Sequence, residues 1–305
     1  MITIVNLNPC LDWQYNVPQF TYGGMNRVHR LSETATSKGT NVAIVLKNLG
    51  HAPKCLGFNF TDGAEKVTAR FDGLDIRHDF INVPGAVRVN IKLAEEESGI
   101  MTELNQPGSF VALEYVEQLT QKIASLSGDG FLVLSGSLPA GVPTAIYASL
   151  TKLWRGKVFV DAEGEPLRQA LAARPYAIKP NLFELESTFG VKLNGAKEVA
   201  AFCQTLVDNG PELICVSMGE EGAVLVTPKA AYFCPAAAIK AQGLAGAGDS
   251  MVAGLIHSII SNQDTAQQLK TAAACATASV TLPGTELCKI PDINKYLPLM
   301  QAHEI

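Results

Sequence analysis

Gly243-Leu244-Ala245-Gly246-Ala247-Gly248-Asp249-Ser250-Met251-Val252-Ala253-Gly254 sets a glycine-rich turn directly before an apolar, helix-compatible run, with an acid at the junction. Backbone N–H groups at a helix start point outward and form an anion site, and glycines let a phosphate approach the main chain. The spacing is not the dinucleotide pattern GxGxxG, because residue 251 is Met, and no Gly-Lys-Ser/Thr occurs for a Walker A loop. From spacing alone, an Asp249 that merely offsets the helix dipole explains the segment equally well. In Ser37-Lys38-Gly39-Thr40-Asn41-Val42-Ala43, a lysine beside a glycine at a helix start suits a charged or hydroxylated ligand. Thr40 or Asn41 as an ordinary N-cap is the plainer alternative. In Lys179-Pro180-Asn181-Leu182-Phe183-Glu184, Asn181 and Glu184 have the spacing of a capping box. The same carboxylate could organise a metal-bound water near phosphates. Arg88 shares a strand face with Asn90 and Lys92, while Ser137 and Ser217 follow or end strand-like runs. Ligands of open α/β sheets bind at such carboxyl ends.

These residues need a scaffold, and the pattern supplies one. Val42, Val45, Leu46 and Leu49 share a helical face with Gly50 as the stop, and Val116, Leu119 and Ile123 repeat that spacing. Ile2, Val5 and Leu7 open a short strand. Phe131–Leu134, Val158–Val160 and Leu213–Val216 are apolar runs ending at Ser135, Asp161 and Ser217. They predict parallel strands buried on both faces, with helices between them. Arg88–Leu93 instead alternates polar and apolar, the period of a strand with one wet face, and residues 12–34 look extended and polar. Together they predict a small inserted sheet, exposed on one side, that covers a substrate or pairs with a partner.

The chain has 305 residues, 47% of them apolar and 17% charged, which excludes a largely disordered chain. At about 150 residues per domain the length allows two domains or one large α/β domain. A net charge of −5 argues against non-specific nucleic-acid binding, so an anionic substrate must be held by a few local cations. Seven cysteines without a CxxC, and five scattered histidines, argue against zinc and predict cytoplasmic free thiols. No apolar run approaches a membrane span, and Met1–Asn6 lacks the basic start of a secretory leader.

Taken together, these motifs resemble the PfkB-type (ribokinase-like) carbohydrate kinases, over nearly the whole chain from Leu7-Asn8-Pro9-Cys10-Leu11-Asp12 to Gly284-Thr285-Glu286-Leu287-Cys288. Gly246-Ala247-Gly248-Asp249-Ser250 is similar to the family's C-terminal signature, and Lys38-Gly39-Thr40-Asn41-Val42-Ala43 to its N-terminal one. Asn26-Arg27 and Ser135-Gly136-Ser137-Leu138-Pro139-Ala140-Gly141 point to the phosphosugar branch. Arg88–Leu93 with Thr102–Gly108 is most like its bacterial 1-phosphofructokinase members.

The resemblance implies one ribokinase-like α/β domain over 1–305. It would be a three-layer sandwich on a mostly parallel sheet, with lid strands at about 12–34 and 86–105. It implies ATP-dependent phosphorylation of a ketohexose monophosphate, fructose 1-phosphate first. Tagatose-6-phosphate kinase, a minor-type 6-phosphofructokinase or a catalytically weak sugar-phosphate sensor are the alternatives. By the resemblance, Asp249 is the base, and the backbone of Ala245, Gly246, Ala247 and Gly248 is the anion hole. Asp12, Gly39 and Asn41 hold sugar hydroxyls, and Arg27, Lys38, Arg88, Gly136 and Ser137 the sugar phosphate. Lys179, Asn181, Glu184, Ser217, Gly219 and Gly222 line the ATP and Mg2+ side, with Glu184 meeting the metal through water. A monovalent cation and a homodimer through the lid complete what is implied. Two departures stand out: Thr36-Ser37 replaces the family's glycine pair, and Gly243-Leu244-Ala245 its Ser/Thr-rich approach.

Overall fold

The computed structural model describes residues 1–305 apart from Ser127, Asn209, Gln242 and Leu244. The expected apolar runs form the middle of a ten-stranded sheet. Its parallel part consists of β1 (Ile2–Asn6), β4 (Pro53–Asp62), β5 (Arg77–Ala86), β8 (Phe131–Ser135), β9 (Lys157–Asp161), β10 (Ala177–Ile178) and β11 (Leu213–Ser217). An antiparallel edge follows, β12 (Gly222–Val226), β13 (Ala231–Pro235) and β14 (His303–Glu304), giving the order β14-β13-β12-β11-β10-β9-β8-β1-β4-β5. Ile4, Val5, Leu132, Val133, Leu134 and Ile214 are fully buried, as expected of strands covered on both faces.

Ten α-helices connect the described strands: α1 (Lys38–Asn48), α2 (Ala64–Asp72), α3 (Leu113–Leu126), α4 (Ile146–Leu153), α5 (Gly164–Ala172), α6 (Leu182–Phe189), α7 (Gly195–Val207), α8 (Ala247–Ile260), α9 (Thr265–Val280) and α10 (Ile290–Tyr296). The helix α8 is apolar nearly all round because it lies between α1 and α9. Gly254 permits that approach: a Cβ there would lie 2.9 Å from the Ala272 Cα.

The second sheet has four strands in the order β3-β2-β6-β7: β2 (Cys10–Val17), β3 (Arg30–Thr36), β6 (Arg88–Glu95) and β7 (Met101–Asn105). Residues 18–29 form a loop with a turn at 22–24, not the continuous extended segment the composition suggested. The alternation in β6 is real, but its polarity is inverted. Polar Asn90 and Lys92 are the buried residues, at 9% and 7% exposure, while Val89, Ile91 and Leu93 are only half-buried. The reason is a partner strand. In the parallel register β2 sets Asp12 opposite Asn90, and Lys92 Nζ lies 2.7 Å from Asp12 Oδ2. All seven cysteines are buried free thiols. Among the described residues no helix is long and apolar enough to cross a membrane.

Candidate active site

The site is assembled at the carboxyl ends of the parallel strands. Sheet register puts Asn6, Ser135 and Asp161 in one row at the ends of β1, β8 and β9. Next to them, α8 begins at Gly246, which is in the left-handed region with φ +78°. That conformation favours glycine, and a Cβ there would push on the end of the Leu287 side chain, 2.5 Å from Cδ2. No side chain caps this helix. By helix geometry the amides of Ala247, Gly248 and Asp249 have no intrahelical partner. At Gly248, Lys179 Nζ stands 3.2 Å from where a Cβ would be, so this second glycine lets a cation reach the helix start.

Asp249 is not a cap. It is the third helical residue, 6% exposed, and its Oδ2 accepts from Asn41 Nδ2 at 2.8 Å. Burial and then the nearby Asp161 charge raise its carboxyl, against Lys38, the Asn41 hydrogen bond and Lys179, to about 7. An acid that exchanges its proton near neutrality, at the mouth of an anion-binding helix start, is suited to general-base work.

Beside it lies a cluster of opposite charges. Asp161 Oδ1 is 3.3 Å from Lys38 Nζ and 3.5 Å from Lys179 Nζ, and the Ser135 hydroxyl donates to Oδ2 at 3.2 Å. Burial pushes Asp161 up, but Lys179, Lys38 and the hydroxyl outweigh it and hold the carboxyl below the ordinary range. Lys38 also donates to Glu184 Oε1 at 3.1 Å. Burial alone would lower the Lys38 ammonium; Asp161, Glu184 and Asp249 outweigh it and raise it further. Both readings of Asn181 and Glu184 hold at once. Glu184 Oε2 accepts from the Asn181 amide at 2.8 Å and Asn181 Oδ1 from the Glu184 amide at 2.7 Å, a complete capping box, while Oε1 faces the cluster.

The adjoining cavity of about 490 Å³ is lined by Asn8, Lys38, Arg88, Gly136, Ser137 and Glu184, among others. Asn8 Nδ2 donates to Ser137 Oγ at 3.1 Å, and Arg88 donates to the Asn8 carbonyl and to Asn90 Oδ1. Asp12 sits behind this wall, paired with Lys92 and accepting from Asn90 Nδ2 at 3.1 Å. Gly39 lies on the first turn of α1, where a Cβ would come 3.3 Å from the Asn6 Cβ. Of the expected residues, Lys38, Arg88, Gly136, Ser137 and Glu184 line the cavity, and Asn41 and Lys179 stand at the start of α8 beside Asp249, whereas Asp12, Ser217, Gly219 and Gly222 do not line it. Arg27 is exposed in the 18–29 loop and does not line the cavity. Ser217 is bridged to Asn181 at the carboxyl ends of β11 and β10, and Gly219 and Gly222 frame the turn that follows it, both at positive φ.

The two departures have different standing. Ser37 is the N-cap of α1: its oxygen accepts from the Thr40 amide at 3.1 Å and its hydroxyl donates to Asn6 Oδ1 at 2.9 Å. Its φ of 170° is ordinary extended backbone, so no glycine is needed there. Of the 243–245 approach, Leu244 lies outside the described residues. Sequence reasoning passed over Asp161, Asn90 and Lys92 as site residues. Asp161 had a signal, an acid at the carboxyl end of a buried strand.

A mostly parallel α/β sheet with a small covering sheet, a glycine-gated helix start and a buried acid define a ribokinase-like kinase. Residues 4–293 match the pfkB family carbohydrate kinase, and the chain belongs to that family. It is 32% identical over 308 residues to a 1-phosphofructokinase of Borreliella burgdorferi, covering 100% of this chain and 99% of that protein. It superposes on a putative phosphofructokinase from Staphylococcus aureus with a TM-score of 0.84 at 30% identity, over 100% and 99% of the two chains. It also superposes on Escherichia coli phosphofructokinase-2 in complex with potassium, with a TM-score of 0.92 at 25% identity, over 98% of each. The chain is a sugar-phosphate kinase of the fructose phosphate type, and its family's chemistry uses ATP and Mg2+. The residues present fit Mg2+. Asp161 and Glu184 offer hard carboxylate oxygens that already share one cation, Lys38. Mg2+ typically takes one or two carboxylates, with phosphates and water completing its shell.

Proposed function

We propose that the chain transfers the γ-phosphoryl group of ATP to the C6 hydroxyl of fructose 1-phosphate, giving fructose 1,6-bisphosphate and ADP. The observation that carries this is Asp249: a buried acid, poised near neutrality and held by Asn41, at the uncapped start of α8. Asp249 takes the proton of the attacking hydroxyl, the oxygen bonds to phosphorus, and ADP leaves with the bridging electron pair. The amides of Ala247, Gly248 and Asp249 stabilise charge on the transferring group, and Lys179 adds a cation beside them. Bound Mg2+ would neutralise charge on the ATP phosphates from Asp161 and Glu184, the latter through water. Arg88, Gly136 and Ser137 line the cavity and hold the substrate phosphate, with Lys38 reaching it from between Asp161 and Glu184. Gly39 and Asn41 orient the sugar. Asn181, Ser217, Gly219 and Gly222 form the nucleotide side.

A panel of fructose, fructose 1-phosphate, fructose 6-phosphate and tagatose 6-phosphate, read by ADP release, tests the substrate. Fructose 1-phosphate should give the highest kcat/KM; equal turnover of free fructose would overturn the phosphate-site assignment. The potassium bound in the Escherichia coli phosphofructokinase-2 structure supports a monovalent cation here too. Turnover should be faster in potassium than in choline chloride. A homodimer through the small sheet is supported by its apolar face. Trp13, Ile91 and Leu104 share one row and Tyr15, Leu31 and Leu93 the next, with Leu31 56% and Leu104 61% exposed. Light scattering should give twice the chain mass, and a fully active monomer would overturn this reading.

A further inference from the structure

We propose that Thr36 is a positioning residue: its hydroxyl anchors the Asn41 side-chain amide so that Nδ2 faces Asp249. The inference rests on the reading of Asp249 as base. Thr36 Oγ1 donates to Asn41 Oδ1 at 2.8 Å, and Asn41 Nδ2 donates to Asp249 Oδ2 at 2.8 Å. The three side chains form one chain of donors running toward the carboxylate. Thr36 is 8% exposed and fixed at the end of β3, opposite Cys10 in the antiparallel register. A β-branched side chain there has few rotamers, so its hydroxyl is held in place. Asn41 is fixed from the other side, because its amide donates to the Ser37 carbonyl at 2.9 Å on a helix start that Ser37 itself caps.

An asparagine amide has nearly the same shape in two orientations, one presenting N–H and the other oxygen. Only the first supports an ionised Asp249. A hydroxyl donating into Oδ1 polarises the amide in the direction that favours the carboxylate. A glycine at position 36, as in the related signature, offers no such donor.

The charged groups facing Asp249 are Asp161 from β9, which opposes its ionisation, and Lys38 from α1 and Lys179 after β10, which favour it. The Cys10 thiol beside Thr36 is pushed up to about 12 by burial, so it stays neutral in the range where Asp249 titrates.

The test is the pH profile of kcat and kcat/KM from pH 5.5 to 9 for Thr36→Val, Thr36→Ser and Asp249→Asn, each checked by thermal melt. In Thr36→Val the acidic limb should move up by about 0.5–1 pH unit, the equivalent of one hydrogen bond to the ionised form. Activity at pH 6 should therefore fall by roughly 3- to 10-fold, while activity at pH 9 and KM for ATP stay near wild type. Thr36→Ser keeps the hydroxyl and should restore the limb. If Thr36→Val does not fold, Thr36→Ala carries the same expectation. An acidic limb coincident with wild type overturns the inference, as does a Thr36→Ser profile displaced as far as Thr36→Val. Lost turnover in Asp249→Asn with an unmoved Thr36→Val profile overturns this inference alone, whereas retained turnover in Asp249→Asn overturns the reading of the base.

Discussion

Replacing Asp249 by Asn should make the protein slower and, above neutrality, more stable. Stability at constant pH depends on how many protons the folded and unfolded chains bind. The Asp249 carboxyl is raised from 3.8 to about 7 in the folded chain. Between those values the folded form holds a proton that the unfolded form has lost. The native state therefore carries no penalty below about pH 4, loses stability as pH rises toward 7, and bears the full cost above it. Each pH unit inside the window is worth about 1.4 kcal/mol, and two units lie between pH 5 and 7, so the wild type should lose up to about 3 kcal/mol relative to Asp249→Asn over that span. Above pH 7 the gap should be constant. Asn cannot accept the hydroxyl proton, so kcat should also fall by at least about 100-fold. If Asp249 only served the α8 dipole, the sign would reverse, and the neutral variant would be less stable by about 0.3–1 kcal/mol with turnover intact. Melts at pH 5, 6, 7 and 8 with steady-state kinetics separate the two. A stability gap that does not widen with pH, or a kcat within a few-fold of wild type, refutes the reasoning.

Arg88→Ala should raise KM for the sugar phosphate by about 10- to 100-fold with little change for ATP, since it removes a charge-assisted contact at the cavity wall. Arg27→Ala, on a residue exposed outside the cavity, should raise it less; an Arg27 effect as large as that of Arg88 would show that the 18–29 loop reaches the phosphate in the working enzyme. Lys92→Met leaves Asp12 buried without its cation and should cost roughly 3 kcal/mol in urea unfolding, most of it recovered in the Lys92→Met, Asp12→Asn double variant. Equal losses in the single and double variants would show that the ion pair is not what holds this part of the small sheet.

The scaffold was legible because parallel strands buried on both faces leave continuous apolar runs, and each run ended where a site residue stands: Ser135, Asp161 and Ser217. The capping box at Asn181 and Glu184 was legible for a similar reason, being a contact across three residues. What escaped depends on long-range register. Alternation in Arg88–Leu93 gives the period but not which face is buried. That was decided by β2, which brought Asp12 to Lys92 across 80 positions. Asp161 became part of a site only when β1, β8 and β9 aligned their ends and α1 and Lys179 delivered cations to it. Thr36 looked like a lost glycine, because its partner Asn41 is local but the partner of Asn41 lies 208 residues away.

The most direct test of the central claim is the identity of the product. Wild-type protein incubated with Mg2+-ATP and fructose 1-phosphate should give, by ³¹P NMR, a new sugar with two phosphate monoester resonances and one equivalent of ADP. Asp249→Asn under the same conditions should leave both substrates intact over many wild-type turnovers. ADP released with inorganic phosphate and no bisphosphate, or bisphosphate formed equally fast by Asp249→Asn, would contradict the account.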